Sequence, residues 1–383
     1  MRRMLAPQLS EEFGWSFTEL MASISVQSIV VMLASPLAGM AIDRFGARRI
    51  GLLSLPAFGL CYLSLAFNNG SIVLYYAQWV AMSLFGLGTL SATWTRVVTQ
   101  WFDRWRGIAL GVASCGTGIT GFLAKPFMAQ MIEAYGWRAA VIAVGLLPIV
   151  IGWPIVALMF REPPQTAAAE EQAGDDAPWP TEPGLTLPQA LRGRHLPIMG
   201  VAFLLIAVAL TAPPPNLENI LGTRGFSLTQ IGEITAAFGL AVIAGRLIGG
   251  WLLDRFWAPA CAVIILAFPA AGCWMLTMDS LTHGMAIMAV ISLGFGAGFE
   301  FDLLAYLVSR YFGGRSYGTI YASFYSVIAL AGAIGPVAFG SAFDLTGSYT
   351  VALRIASISL LSGACISLLL GRYPNFSTEN SAH

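Results

Sequence analysis

Charge is scarce in this sequence. Asp, Glu, Lys and Arg make up 10% of its 383 residues, against about 25% in an ordinary soluble domain. Lysine occurs once, at Lys125. So few charges could not hydrate the surface of a soluble chain this long, so most of that surface must face lipid. The formal net charge is zero, which removes the electrostatic footprint of a nucleic-acid binder. Cysteine and histidine are sparse too. Cys61, Cys115, Cys261, Cys273 and Cys365 all sit in apolar runs without CxxC or zinc spacing, and read as small hydrophobes. His195, His283 and His383 fall in loops or at span ends. No His, Cys or carboxylate cluster suggests a metal, and no Walker-type loop is present for nucleotide hydrolysis. No cofactor and no enzymatic activity are therefore expected. Arg2 and Arg3 are not followed by an apolar core, so the N-terminus is not a signal peptide.

Apolar residues, by contrast, make up 57% of the chain. A helix needs about 20 of them in a row to cross a bilayer. Clean runs occupy 20–42, 50–67, 72–95, 139–160, 196–212, 259–278 and 351–370. Four more carry a few charges or interruptions: 107–132, 229–253, 284–308 and 317–343. Eleven transmembrane helices are predicted, in an all-α membrane protein. The segment 161–195 is rich in Pro, Ala and acid and reads as a solvated cytoplasmic linker. It divides the chain into a five-helix unit at 1–160 and a six-helix unit at 196–372, with a tail at 373–383.

Arginine sets the orientation. The side holding 43–49, 96–106, 161–195, 254–258, 309–316 and 371–383 carries thirteen arginines. The other side carries only Arg2, Arg3, Arg138 and Arg224. The first side is cytoplasmic. The two halves also repeat at an offset of 211 residues. Gly14-Trp-Ser-Phe-Thr18 pairs with Gly225-Phe-Ser-Leu-Thr229, and Gly39-Met-Ala-Ile-Asp43-Arg44-Phe45 with Gly250-Trp-Leu-Leu-Asp254-Arg255-Phe256. Gly107 pairs with Gly318 and Gly136 with Gly347. Such repeated halves around a linker are a transporter plan. At this offset the partner of span 196–212 falls upstream of Met1. The repeat thus predicts twelve helices, six plus six, and a reading frame that begins earlier and encodes about 20 further apolar residues.

The stretch Gly39-x3-Asp43-Arg44-Phe45-Gly46-Ala47-Arg48-Arg49 resembles the loop between helices 2 and 3 of the major facilitator superfamily. The resemblance implies that family's fold of two pseudo-symmetric helical bundles, and transport by alternating access. In the family this loop latches the cytoplasmic side when the carrier is open outward. The role falls here on Gly39, Asp43, Arg44, Gly46, Arg48 and Arg49, and on the repeat copy Gly250, Asp254 and Arg255. Gly39 permits close helix approach, and Asp43 can accept from the amides that begin a neighbouring helix. The plainer alternative is that the arginines only anchor topology. EEFGWS at 11–16, WFDRWRGIALGVASCGTGITG at 101–121, YGWRAA at 135–140 and RYFGGRSYG at 310–318 resemble the monocarboxylate and oxalate–formate carrier branch. The drug-antiporter branch fits less well. Its fourth-helix arginine is replaced by Met82, and its fifth-helix Gly-Pro reads Lys125-Pro126.

Ionisable groups inside a span are costly and so are functional candidates. Arg246 and Glu300 each lie roughly 25 Å into their helices from the outer side. In monocarboxylate carriers an eighth-helix arginine four residues before a glycine binds the substrate carboxylate, and Arg246 stands in that relation to Gly250. The acidic residue one turn earlier in those carriers is Val242 here. A structural ion pair of Arg246 with Glu300 or Asp302 is the competing expectation. Glu300 and Asp302 point some 200° apart on a helix, and either can carry a coupling proton. Lys125 maps by the repeat onto Pro336, in the helix where oxalate–formate carriers place a lysine. A substrate contact, snorkelling to the outer face, and pairing with Glu233 remain open for it. Glu233 is itself a further proton-coupling candidate.

These features predict a monomeric secondary transporter in a bacterial inner membrane. Its cargo is expected to be a small organic anion of carboxylate type, alone or with a proton. An exporter of neutral or hydrophobic compounds is one alternative. A non-transporting sensor or inactive protein is another.

Overall fold

The computed structural model describes residues 2–163 and 183–376. In chain order its helices are α1 (Arg2–Phe13), α2 (Phe17–Phe45), α3 (Ala47–Ser64), α4 (Ile72–Phe85), α5 (Ser91–Trp101), α6 (Arg106–Leu147), α7 (Trp153–Met159) and α8 (Leu187–Arg192). The second half continues with α9 (His195–Thr211), α10 (Pro213–Gly222), α11 (Leu228–Arg255), α12 (Ala258–Met275), α13 (His283–Tyr311), α14 (Tyr317–Thr346) and α15 (Thr350–Ser367). Among the described residues nine helices are long and apolar enough to cross a membrane. The count is ten if α4 and α5, bent by 49° at their junction, form one span. The sequence predicts eleven. The difference falls on α6, where the expected spans 107–132 and 139–160 run together across Gly136, whose backbone is non-helical (φ 79°, ψ 167°). Glycine takes that conformation without a Cβ penalty, so this boundary is one residue wide.

The repeat is visible in how its helices begin. Ser16 caps α2 in a capping box with Glu19, and Ser227 caps α11 in the same box with Gln230. Each box satisfies amides that a helix start leaves orphaned. Between α2 and α3 the chain turns at Gly46 (φ 82°) alone. The stretches 11–16 and 135–140 meet. The Glu12 carboxylate accepts from Trp137 Nε1 at 2.6 Å and pairs with Arg138 at 2.7 Å, while Phe13 packs against Trp137. The Arg138 hydrogen bond, then that from Trp137, holds the Glu12 carboxyl below its ordinary value.

The larger apolar core joins α9–α15 around Phe203, Leu266, Phe299 and Tyr321 and takes in Ile42 of α2, Val97 of α5 and Leu110 of α6. A smaller one joins α1, α3, α4 and α6 around Leu9, Tyr62, Trp79 and Met128. Leu33, Leu53 and Val150 point outward from their helices, as lipid-facing positions do. The two halves meet where α2 packs on α14 and α6 on α11.

The linker is expected to be solvated, and its middle, 164–182, lies outside the described residues. Its end is docked. Leu185 N–H donates to Phe312 O at 2.8 Å and Gly314 N–H to Pro183 O at 3.0 Å, a short antiparallel bridge at Gly184 and Gly313. The next residues form α8, begun by a capping box of Thr186 and Gln189, with Ala190 buried.

Candidate functional site: the seam between the halves

The end of the seam that carries the arginine-rich loops is built on glycine. A Cβ on Gly39 would collide with the Gly318 carbonyl, and one on Gly250 with the Gly107 carbonyl. Only residues without a side chain let the paired helices come this close. The close approach brings each aspartate to a helix start. Asp43 accepts from the amides of Gly318 (2.8 Å) and Thr319 (2.7 Å), from the Thr319 hydroxyl (2.6 Å), and from Arg96. Asp254 accepts from the amides of Gly107 (2.6 Å) and Ile108 (2.9 Å). Both carboxylates satisfy orphaned donors and complement a helix dipole. Beyond this closure α14 is buried almost continuously from Tyr317 to Phe324, then only about once per turn.

The other gating-loop candidates go elsewhere. Arg44 lies over the Phe45 ring (5.3 Å to its centre) and Arg255 over Trp251 (4.4 Å). Arg48 holds the end of α7: its Nε donates to Phe160 O and its Nη2 to Ala157 O, while its backbone N–H donates to Glu162. Arg49 is exposed.

Two turns deeper along α11, about 12 Å from Asp254, Arg246 meets Asp302 of α13. The Nη1–Oδ1 distance is 3.2 Å, and the two residues are 6% and 1% exposed. The contact is single. Arg246 Nε is buried without a hydrogen-bond partner among the described residues, and Ser114 of α6 stands beside the Asp302 carboxylate. A forked carboxylate–guanidinium pair would make two such bonds, so this one holds hydrogen-bonding capacity in reserve. Gly111 of α6 packs directly on the Arg246 backbone, which puts the pair at the seam.

Glu300 is not part of this pair. A Cβ on Gly298 would touch Val242 of α11, so the face carrying Gly298 and Asp302 looks at α11. Glu300 shares instead the face of Gly296, which packs on Pro269 and Leu210 inside the second half. It is 2% exposed and its Oε1 is without a partner. Glu233 sits near the N-terminal end of α11, 3.6 Å from His283, with its side chain 62% exposed. Lys125 belongs to α6, but its side chain lies outside the described residues.

Two sets of residues at the seam escape sequence reasoning. Arg96 is one of thirteen cytoplasmic arginines by sequence, yet its side chain is 7% exposed against Asp43. Tyr317, Tyr321 and Tyr325 form a row on α14, the first two buried with rings stacked 5.8 Å apart and the third half-buried. Their spacing of four is the signal that could have found them.

Among known proteins, residues 3–336 match the profile of the Major Facilitator Superfamily. Human monocarboxylate transporter 11 is 24% identical over 96% of this chain and 78% of its own. The probable sulfoacetate transporter SauU of Cupriavidus necator is 24% identical over 95% of this chain and 88% of its own. In fold the chain is similar to the crystal structure of the E. coli fucose:proton symporter FucP, with TM-score 0.73 and 14% identity, covering 97% of this chain and 95% of that one.

Proposed function

We propose, for a chain that belongs to the Major Facilitator Superfamily and is therefore a multi-pass membrane transporter rather than an enzyme, that its cargo is a small organic carboxylate. The observation that carries this reading is the Arg246–Asp302 pair, buried at the seam with one guanidinium–carboxylate bond made and Arg246 Nε unused. An incoming carboxylate takes the Arg246 fork, matching its planar donors bidentately. Asp302 is thereby released and takes up a proton, because an unpaired carboxylate in so dry a place is costly. Cargo and proton then cross together. The names of the monocarboxylate and sulfoacetate carriers among its relatives support an anionic cargo.

Asp302 also accounts for Val242. The acid that related carriers place one turn before the arginine is supplied here from α13. Asp43 and Asp254 act as the cytoplasmic latch of an outward-facing state, and the halves divide at the 161–195 linker. The transporter works as a monomer in a bacterial inner membrane. Uptake into proteoliposomes against a panel of mono- and dicarboxylates, with an inward proton gradient, tests this reading. Accumulation of at least one carboxylate that collapses with the gradient is expected. Transport of neutral compounds only would reject it.

A further inference from the structure

A third contact crosses the seam at its cytoplasmic rim, between the start of α6 and the end of α13. Arg106 Nη1 donates to Ser309 Oγ at 3.1 Å, and its Nη2 lies 3.2 Å from Asp103 Oδ1. Arg310 of the other half reaches the same Asp103 oxygen at 3.7 Å. Two guanidinium groups, one from each half, therefore converge on one oxygen of one carboxylate. That carboxylate sits on an exposed loop, with its side chain 86% exposed, while those of Arg106 and Arg310 are 13% and 33% exposed.

Among the described residues Asp103 is the only carboxylate within 4 Å of either arginine, and Tyr306, Tyr317 and Tyr373 also lie beside them. Arg310 is further fixed over the Tyr306 and Tyr373 rings, and its Nε is buried without a partner. The repeat has no counterpart: Asp103 maps to Gly314 and Arg106 to Tyr317. An exposed carboxylate held at 3.7 Å is a weak ion pair, yet two cations are positioned to share it. The cations are built in; the anion is a loop side chain that can leave.

We infer that Arg106 and Arg310 form a second anion site at the cytoplasmic mouth, filled by Asp103 in place of a soluble oxyanion. The inference extends the reading of the cargo as an organic anion, since such a site collects anions where the pathway opens. When the halves part at the cytoplasmic side, each arginine stays with its own half and lines the mouth. Asp103 then competes with the cargo for them.

The test uses sulfate alone as the probe, so it does not depend on knowing the cargo. The full chain, with its five cysteines replaced, carries Arg104→Cys labelled with bimane, whose fluorescence is quenched by the neighbouring Trp105. It is held in phosphatidylcholine nanodiscs and titrated with sulfate at constant ionic strength. Asp103→Asn should lower the sulfate midpoint at least about tenfold, and adding Arg310→Gln should abolish that gain. Arg246→Lys should leave it untouched, because the central site lies elsewhere. Equal midpoints in Asp103→Asn and its parent would overturn the inference, as would a gain that survives the loss of Arg310. Added phosphatidylglycerol should not move the midpoint; a clear rise would give the site to a lipid headgroup instead. If no carboxylate is transported, the cargo reading fails while this titration can still succeed, and the converse also holds.

Discussion

Asp43 and Asp254 stand 211 residues apart and each caps the start of a helix of the opposite half: Asp43 accepts the Gly318 amide at 2.8 Å, and Asp254 the Gly107 amide at 2.6 Å. Gly318 is itself 211 residues beyond Gly107, so the repeat exchanges donor and acceptor between halves. The exchange is unequal. Asp43 also binds Arg96 and the Thr319 hydroxyl, whereas Asp254 is bound by backbone amides. Asp43→Asn should therefore loosen the cytoplasmic closure more than Asp254→Asn. Labelling of Cys115 from the cytoplasmic side by an impermeant maleimide, with the other four cysteines replaced, reads this out. A rise of at least about fivefold in rate is expected for Asp43→Asn, since hydrogen bonds to a charged group contribute about 1.5–3 kcal/mol each. Slower turnover should accompany it. Unchanged labelling and rate would remove the latch.

The glycine crossings make a steric prediction. Gly39→Ala and Gly250→Ala place a methyl group against a carbonyl of the facing helix, so each should wedge the seam open. Gly239→Ala lies on α11 where no atom stands within 4 Å of the added carbon, and helical alanine is favoured over glycine. It should be neutral or mildly stabilising. The same Cys115 labelling separates them: fast for the first two, parental for the third.

Glu300 and Asp302 should differ in what they disturb. Asp302→Asn removes the carboxylate beside Arg246 and should abolish the dependence of uptake on the proton gradient. Glu300→Gln alters a group on the Gly296 face of α13, the face that looks toward Pro269 and Leu210, so the cargo KM and the gradient dependence should stay within about twofold of parental. Loss of proton dependence in Glu300→Gln, with its retention in Asp302→Asn, would reverse the assignment.

On the outer face the docking of α1 should depend on pH. The hydrogen bonds from Arg138 and Trp137 hold the folded-state pKa of Glu12 below the unfolded value. The stabilisation is thus fully present above the ordinary glutamate range and is lost as pH falls through the lowered value. Amide exchange in α1 should quicken between neutral and acid pH in the parent. In Glu12→Gln it should be fast throughout and nearly independent of this titration, apart from the intrinsic change in exchange chemistry. A parental pH response in Glu12→Gln would contradict the assignment.

Much of this was legible in the sequence because a bilayer demands long apolar runs, and because the repeat restates its own punctuation. Ser16 and Ser227, Gly39 and Gly250, and Asp43 and Asp254 pair by offset alone. The helical phase of α13 also showed that Glu300 and Asp302 cannot share a face. It did not show which one meets Arg246. That depends on the register between α13 and α11, which Gly298 sets by packing against Val242, a contact between segments some 56 residues apart. Arg44, Arg48 and Arg255 carried the right charge for a gate, but nearby rings and helix-end carbonyls held them first. Arg96 was hidden for the opposite reason. It looked like one more cytoplasmic arginine, and only its contact with Asp43 of α2, 53 residues away in sequence, sets it apart.

The central claim is that Arg246 exchanges Asp302 for the carboxylate of the cargo, and one substitution addresses it directly. Arg246→Lys keeps the positive charge beside Asp302 but removes the planar fork. Carboxylate uptake by proteoliposomes containing equal amounts of folded parent and variant is the measurement. A fall of at least about tenfold in kcat/KM is predicted, equivalent to about 1.4 kcal/mol of lost binding in the transition state. Full uptake by Arg246→Lys, with loss of folded protein in Arg246→Ala, would contradict it and leave Arg246 and Asp302 as a structural ion pair.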